Sequence, residues 1–96
     1  MAKVTILYWK DIPSVVEARD DQGVHKELMS ERFQELIDLI AMKLKLAGTD
    51  EYLMQWSKGR PYEVSGSARD AAISVKDEFE NRYKEIRKEE LAKAVG

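Results

Sequence analysis

The segment from Lys3 to Trp9 is apolar on both of its alternating faces, and this feature constrains the fold more than any other. In an extended strand, one side would carry Val4, Ile6 and Tyr8, and the other side Leu7 and Trp9. β-Branched and aromatic residues of this kind favour a strand, and two apolar faces are typical of a central strand that is covered on both sides. We therefore expect helices on one face, with a short helix at residues 50–56 or a partner subunit on the other.

A second strand is predicted at Ser14–Arg19, after Asp11-Ile12-Pro13 interrupts the first one. Proline removes a backbone donor and restricts the residue before it. Because the connection is short, the two strands should pair antiparallel. Asp20–Gly23 has the composition of a turn. Residues 24–28 fit either a third short strand or the start of a helix, and the pattern leaves both open.

Two amphipathic helices follow in the sequence. The first is predicted at residues 31–46, with Ser30 as its N-cap and Gly48 just past its end. A short helix at 51–56 can be capped by Thr49 or Asp50. Residues 57–61 are predicted as a loop and residues 62–64 as an edge strand. The last helix is predicted to begin after Ser67, to pack through residue 86 and to continue to Lys93.

These elements predict an α+β fold in which a small antiparallel sheet packs against helices 31–46 and 68–86, with a short third helix. A ferredoxin-like or split arrangement remains open. With 96 residues, the chain has room for one domain with a single core. A straight helix from 68 to 93 would exceed the diameter of such a domain. We therefore expect residues 87–96 to form a projecting charged helical tail. If it is ordered, Leu91 and Val95 should be buried against a second copy or a larger partner; a fraying, solvated tail is the alternative.

The charge balance excludes several function classes. Sixteen Lys and Arg against eighteen Asp and Glu give a net charge of −2, so the broad basic field of a nucleic-acid binder or of a protein bound to anionic membranes is missing. The chain has no cysteine, which excludes disulfides, thiolate metal sites and cysteine nucleophiles, and it has one histidine. No apolar stretch approaches the length of a membrane span or fits an export signal. The expected location is the cytoplasm.

Aromatic residues near the ends of the predicted elements are the best candidates for a ligand or partner surface. Tyr and Trp combine an apolar body with a polar group, and they are common at binding surfaces. Arg60 lies in the loop between two of these elements and could bind an anion at the rim. For Trp9 and Trp56, packing in the core of a small domain is the favoured interpretation. The candidate surface residues are Tyr8, Trp9, Tyr52, Trp56, Arg60 and Tyr62.

No catalytic, metal or cofactor site is predicted. His25 could act as a general base if a neighbouring carboxylate oriented it, such as Asp20, Asp21 or Glu27, but an exposed histidine beside a turn is the favoured interpretation. Glu17, Asp20 and Asp21 lack the graded ligand spacing of a calcium loop. The isolated glycines do not form a phosphate-binding loop.

Several motifs together resemble a small bacterial domain family labelled "virulence factor". These are Tyr8-Trp9 followed by Ile12-Pro13, the segment Ala47-Gly48-x-Asp50-x-Tyr52-Leu53-x-x-Trp56, and the later Gly66-Ser67-Ala68-Arg69-Asp70-Ala71-Ala72. The resemblance runs from about Lys3 to Phe79. The resemblance implies a domain that occurs either alone or as a module of larger conserved virulence factor proteins. It also implies that the genes of stand-alone members lie beside genes of one-carbon and corrinoid methyl transfer. It implies no catalytic residues.

Three functions are consistent with these observations. The first is a non-catalytic interaction or accessory subunit of a cytoplasmic bacterial complex, with a protein partner or a second copy as its target. The second is a small-ligand domain that binds an anion or a folate-like molecule in one-carbon metabolism. The third is an enzyme that uses His25 with an aspartate. The missing catalytic motifs and the modular family favour the first.

Overall fold

The computed structural model describes residues 1–94, which form five strands and four helices. The strands are β1 (Ala2–Trp9), β2 (Ile12–Asp20), β3 (Gly23–Leu28), β4 (Trp56–Lys58) and β5 (Tyr62–Val64). The helices are α1 (Glu31–Lys43), α2 (Asp50–Met54), α3 (Ala68–Asn81) and α4 (Tyr83–Lys93). The predicted α+β class is confirmed. The element order βββααββαα differs from the order of a ferredoxin-like fold.

The sheet is antiparallel and β1 lies at its centre, as its two apolar faces predict. β2 and then β3 follow on one side of β1, so residues 24–28 form a strand. On the other side, β5 pairs with Ala2–Val4 and β4 pairs with Leu7–Trp9. The loop predicted at 57–61 is therefore partly wrong, because Ser57 and Lys58 belong to β4. A three-residue strand carries too little alternation to be detected from the sequence.

Pro13 lies inside β2, although the sequence predicted that this strand begins at Ser14. The hairpin turn is only Lys10-Asp11, and Trp9 pairs directly with Ile12. The register then shifts between Leu7 and Tyr8, so that Ser14 is left without a partner on β1. Such a bulge is where a strand tolerates a proline, because the missing N–H falls at a point where the ladder is already interrupted.

The hydrophobic core lies between the sheet and the helices. α3 packs across β1, β2 and β3, while α1 packs against β2 and α4. β1 contributes Val4 and Ile6 to this core, and β2 contributes Val16 and Ala18. The largest fully buried side chains are Trp9, Phe33, Ile12, Leu36, Ile37, Ile40, Val4, Val16 and Pro13.

The predicted continuous helix from residue 68 to residue 93 is wrong. α3 ends at Asn81, and Arg82 separates it from α4. Ile86 and Ala94 are buried, and Lys93 donates to Asp11 Oδ2 at 3.1 Å. Residues 87–94 thus lie against the domain instead of projecting, because the break lets α4 cover its apolar residues on α1 and α3. The predicted burial of Val95 lies outside the described residues.

α1 ends earlier than predicted, and the residue past its end is a lysine rather than Gly48. Lys45 has a φ of +58°, its N–H donates to Met42 O, and the Leu46 N–H donates to Ala41 O. These two bonds define a Schellman motif with Lys45 at the C′ position. A residue with a β-carbon is strained there, at a cost of about 1–2 kcal/mol.

Replacing Lys45 with glycine should therefore stabilise the protein by about 0.5–1 kcal/mol, because glycine adopts this conformation without strain but loses more backbone entropy. The free energy of unfolding from urea titration measures the effect. Lys43→Gly is the matched control inside α1 and should destabilise by about 1 kcal/mol. Equal losses in both variants would contradict the assignment of strain to Lys45.

Candidate functional site

Trp9, Tyr52 and Trp56 lie close together at the end of the sheet where β1 meets α2 and β4. The ring centroids of Trp9 and Tyr52 are 5.4 Å apart, and those of Tyr52 and Trp56 are 6.4 Å apart. Trp9 Nε1 donates to the backbone oxygen of Tyr52 at 2.9 Å. Trp9 is fully buried, whereas Tyr52 and Trp56 are half-buried. Trp9 is therefore a core residue that positions α2, and only the other two rings reach the surface.

Tyr8 and Tyr62 lie in a second group. The ring of Tyr8 packs edge-on against Phe79 of α3, with centroids 6.5 Å apart. Gly59 approaches this ring so closely that a β-carbon there would lie 3.1 Å from it. Burial raises the pKa of the Tyr8 hydroxyl, and the charge of Asp11 adds to the effect. Burial also raises the pKa of Tyr62, with smaller contributions from Tyr8 and Glu78.

Both tyrosines are therefore protonated at neutral pH. Arg60, the predicted anion-binding residue, is exposed in the connection between β4 and β5. The predicted surface thus separates into an aromatic group at the end of the sheet and a tyrosine pair beside α3, rather than forming one patch.

A cleft of about 410 Å³ lies at the end of the β1–β2 hairpin, and we call it the hairpin cleft. Its lining contains none of the residues predicted for the surface. Glu90 is only 5% exposed there and accepts a hydrogen bond from Lys93 Nζ at 3.0 Å. Contacts with Glu90 and Asp11 raise the pKa of Lys93. The lining residues are Lys10, Asp11, Ile40, Leu44, Met54, Gln55, Ser57, Glu90, Lys93 and Ala94.

A second candidate surface is the side of the sheet that faces away from α3, which we call the open sheet face. Strand pairing places on it a row formed by Leu7, Val15 and Leu28, with Lys58 at one end. A groove of about 260 Å³ runs there, and strand residues alone line it. The expected covering helix at 50–56 contacts Trp9 but does not extend over this row. The other residues of the open sheet face are Lys3, Thr5, Glu17, Arg19, Val24, Lys26 and Glu63.

His25 is held on the opposite side of β3, beside α3. Its Nε2 lies within hydrogen-bond distance of Glu27 Oε2, and Lys76 Nζ lies 3.9 Å from Glu27 Oε1. His25 does not line the hairpin cleft or the groove on the open sheet face. This arrangement accounts for His25 as part of a partly buried group of polar side chains that joins β3 to α3.

Asp20 organises the turn before β3 and the start of α3. Its Oδ1 accepts the N–H groups of Gln22 and Gly23, and its Oδ2 accepts the N–H of Ala68 at 2.7 Å. These bonds, that of Ala68 first, lower the pKa of the Asp20 carboxyl. Within residues 1–94, no three histidine or carboxylate side chains are grouped closely enough to bind a metal ion. The described helices also include none that is long and apolar enough to span a bilayer.

Most of the chain is similar to one known protein family. A family described as virulence factor matches residues 7–92. The chain belongs to the virulence factor family. The predicted resemblance is therefore confirmed. No curated protein and no solved structure shows significant similarity to it.

The part of the chain shared with the virulence factor family contains most of both candidate surfaces. From the hairpin cleft it includes every lining residue between Lys10 and Glu90, and from the groove it includes every lining residue except Thr5. The Glu90–Lys93 pair was not foreseen because both residues were expected to project into solvent. Their spacing of three on a helix was the only available signal, and it indicates a local pair rather than a cleft.

Proposed function

We propose that this member of the virulence factor family is a non-catalytic interaction or accessory subunit of a cytoplasmic bacterial protein complex. The open sheet face is the observation that carries the proposal. An apolar row on a sheet is normally covered by another layer of secondary structure. Leu28 is 69% exposed and Val24 is 46% exposed, although both lie in the regular strand β3. A partner that covers this row would bury apolar area and complete the fold as a three-layer structure.

A pair of matched substitutions tests this proposal. Leu28 and Met42 are both 69% exposed, but Met42 lies on α1, away from the open sheet face. Leu28→Lys should abolish co-purification of the partner from a lysate of cells that make the protein, because it places a charge in the apolar row. Met42→Lys should retain the partner. Equal retention by both variants, with the partner identified and its binding repeated with purified proteins, would contradict the proposal.

Binding of a small ligand is the second candidate function, and the hairpin cleft is the observation that favours it. Its volume is in the range of small-molecule sites, and it combines an apolar wall with converging polar groups. Lys10 Nζ lies 6.0 Å from the centre of the Trp9 ring, so a ligand at Lys10 should change tryptophan fluorescence. Titration with anionic and folate-like metabolites tests this function. Unchanged fluorescence up to about 1 mM, which excludes affinities better than about −4 kcal/mol, would contradict it.

A further inference from the structure

The open sheet face has a charge opposite to that of the whole chain. It carries the cations Lys3, Arg19, Lys26 and Lys58 against the carboxylates Glu17 and Glu63, whereas the chain has a net charge of −2. Among the described residues, the one ion pair on this face joins Arg19 to Glu17 at 4.0 Å. The face therefore has an excess of positive charge beside its apolar row.

The apolar row has the dimensions of a helix contact. Leu7, Val15 and Leu28 lie on three adjacent strands, which are about 4.8 Å apart, so the row is roughly 10 Å long. Residues i, i+4 and i+7 of an α-helix share one face and span about 10.5 Å. A helix laid across the strands can place three apolar side chains along the row.

The charges around the row determine which helix fits. Lys58 pairs with Leu7 and so continues the row onto β4. Lys26 lies two residues before Leu28 on β3, on the same face of the sheet. Carboxylates that flank the apolar stripe of a docked helix would meet both ammonium groups, and lysines in the same positions would be repelled. Pairing of an extra strand with β3 is less favourable, because the central position of this edge strand is occupied by Lys26, a residue type that discourages edge pairing.

We infer that the partner of the open sheet face is an acidic amphipathic helix of another protein, which lies across β1, β2 and β3 along the row of Leu7, Val15 and Leu28. This inference rests on the proposed interaction function and specifies the chemistry of the partner. The helix supplies leucine-like side chains to the row and carboxylates to Lys26 and Lys58. Its affinity falls as salt is added, because the ion pairs at the rim are exposed to solvent.

Two designed peptides provide the test. Both are helices of about 18 residues with leucines at i, i+4 and i+7, and they differ only in whether glutamate or lysine flanks the leucines. We expect the glutamate peptide to shift the amide resonances of Leu7, Val15 and Leu28 in the full chain, and to bind about tenfold more tightly than the lysine peptide. The double variant Lys26→Glu/Lys58→Glu should reverse this preference. Lys84→Glu/Lys88→Glu, with the same charge change at exposed positions of α4, should keep it.

Each remaining outcome counts against the inference. Equal affinities, no binding of the glutamate peptide at about 1 mM, or resonance shifts outside the open sheet face would overturn it. If the protein sediments with phosphatidylglycerol vesicles and shows no peptide preference, the partner is a membrane and the inference is wrong. If light scattering gives a mass that rises with protein concentration, and Leu28→Lys removes this rise, the partner is a second copy and the inference is also wrong. If the peptides show no preference but an identified partner is lost only in Leu28→Lys, the acidic helix is wrong and the interaction function remains.

Discussion

Replacing Trp9 with alanine is expected to lower the free energy of unfolding by about 3–5 kcal/mol, a large share of the total stability of a small domain. Trp9 is the largest of the fully buried side chains, and its removal leaves a cavity at the end of the sheet. The indole also donates to the backbone oxygen of Tyr52, so α2 loses its attachment to β1. Urea titration followed by circular dichroism measures the change.

Two controls separate the contributions of packing and hydrogen bonding. Trp9→Phe retains an aromatic ring but removes the indole N–H, and it should cost about 1–2 kcal/mol. Trp56→Phe changes the same residue type at a half-buried position and should cost less than Trp9→Ala. A loss below about 1 kcal/mol for Trp9→Ala would show that Trp9 does not anchor the core.

The parts of the fold that were predicted from the sequence depend on local signals. The two apolar faces of β1 indicated a central strand, and they did so without any knowledge of its neighbours. Ser67 was predicted to cap α3, and Thr49 or Asp50 to cap α2. The hydroxyls of Thr49 and Ser67 do so by accepting the N–H groups of Tyr52 and Asp70. Each of these features involves residues that are close in sequence.

The features that were missed depend on contacts between distant parts of the chain. β4 is a strand only because it pairs with Leu7–Trp9, nearly fifty residues earlier. The sequence around Arg82 contains neither glycine nor proline to signal the break between α3 and α4. Just after the break, Tyr83 packs on Phe33 of α1, with ring centroids 5.1 Å apart, and this contact joins residues fifty positions apart. The hairpin cleft depends on the same break, so its Glu90 and Lys93 could not be predicted as neighbours of Asp11.

The arrangement of the candidate surface residues also depends on contacts between distant parts of the chain, so the sequence indicated only which residues to consider. Residue type identified the aromatic side chains, but strand alternation assigned Tyr8 and Trp9 to different groups, and the burial of Trp9 removed it from the surface. The open sheet face was foreseen as a face in need of a cover. Its excess of lysine was not foreseen, because Lys58 joins that face only through the unpredicted strand β4.

Glu80 connects α3 to the start of α1 through the densest group of polar contacts in residues 1–94. Its carboxylate accepts the N–H and the hydroxyl of Ser30, both at 2.8 Å, and forms an ion pair with Arg32 at 3.0 Å. Arg32 also donates to the backbone oxygen of Glu80, and its guanidinium lies 4.4 Å from the centre of the Tyr83 ring. Ser30 thus occupies the N-cap position as predicted, but its hydroxyl bonds Glu80 instead of the helix.

Replacing Glu80 with alanine should lower the free energy of unfolding by about 2–3 kcal/mol at neutral pH, because hydrogen bonds to a charged group are lost and Arg32 has no other carboxylate partner within residues 1–94. Burial acts to raise the pKa of Glu80, but the hydrogen bonds from Ser30 and Arg32 outweigh it and lower the pKa below its ordinary value of 4.5. A lowered carboxyl pKa stabilises the folded state above the unfolded pKa, and this contribution is lost as the pH falls through the folded pKa.

The difference in stability between the wild type and Glu80→Ala should therefore be greatest near neutral pH and should shrink as the pH falls below about 4.5. Urea titrations of both proteins across this range measure the difference. Glu78→Ala, at an exposed position of the same helix, should change the stability by no more than about 0.5 kcal/mol at any pH. A difference between wild type and Glu80→Ala that stays constant down to the acid limit of folding would mean that packing of the glutamate stem, rather than its charge, joins α3 to α1.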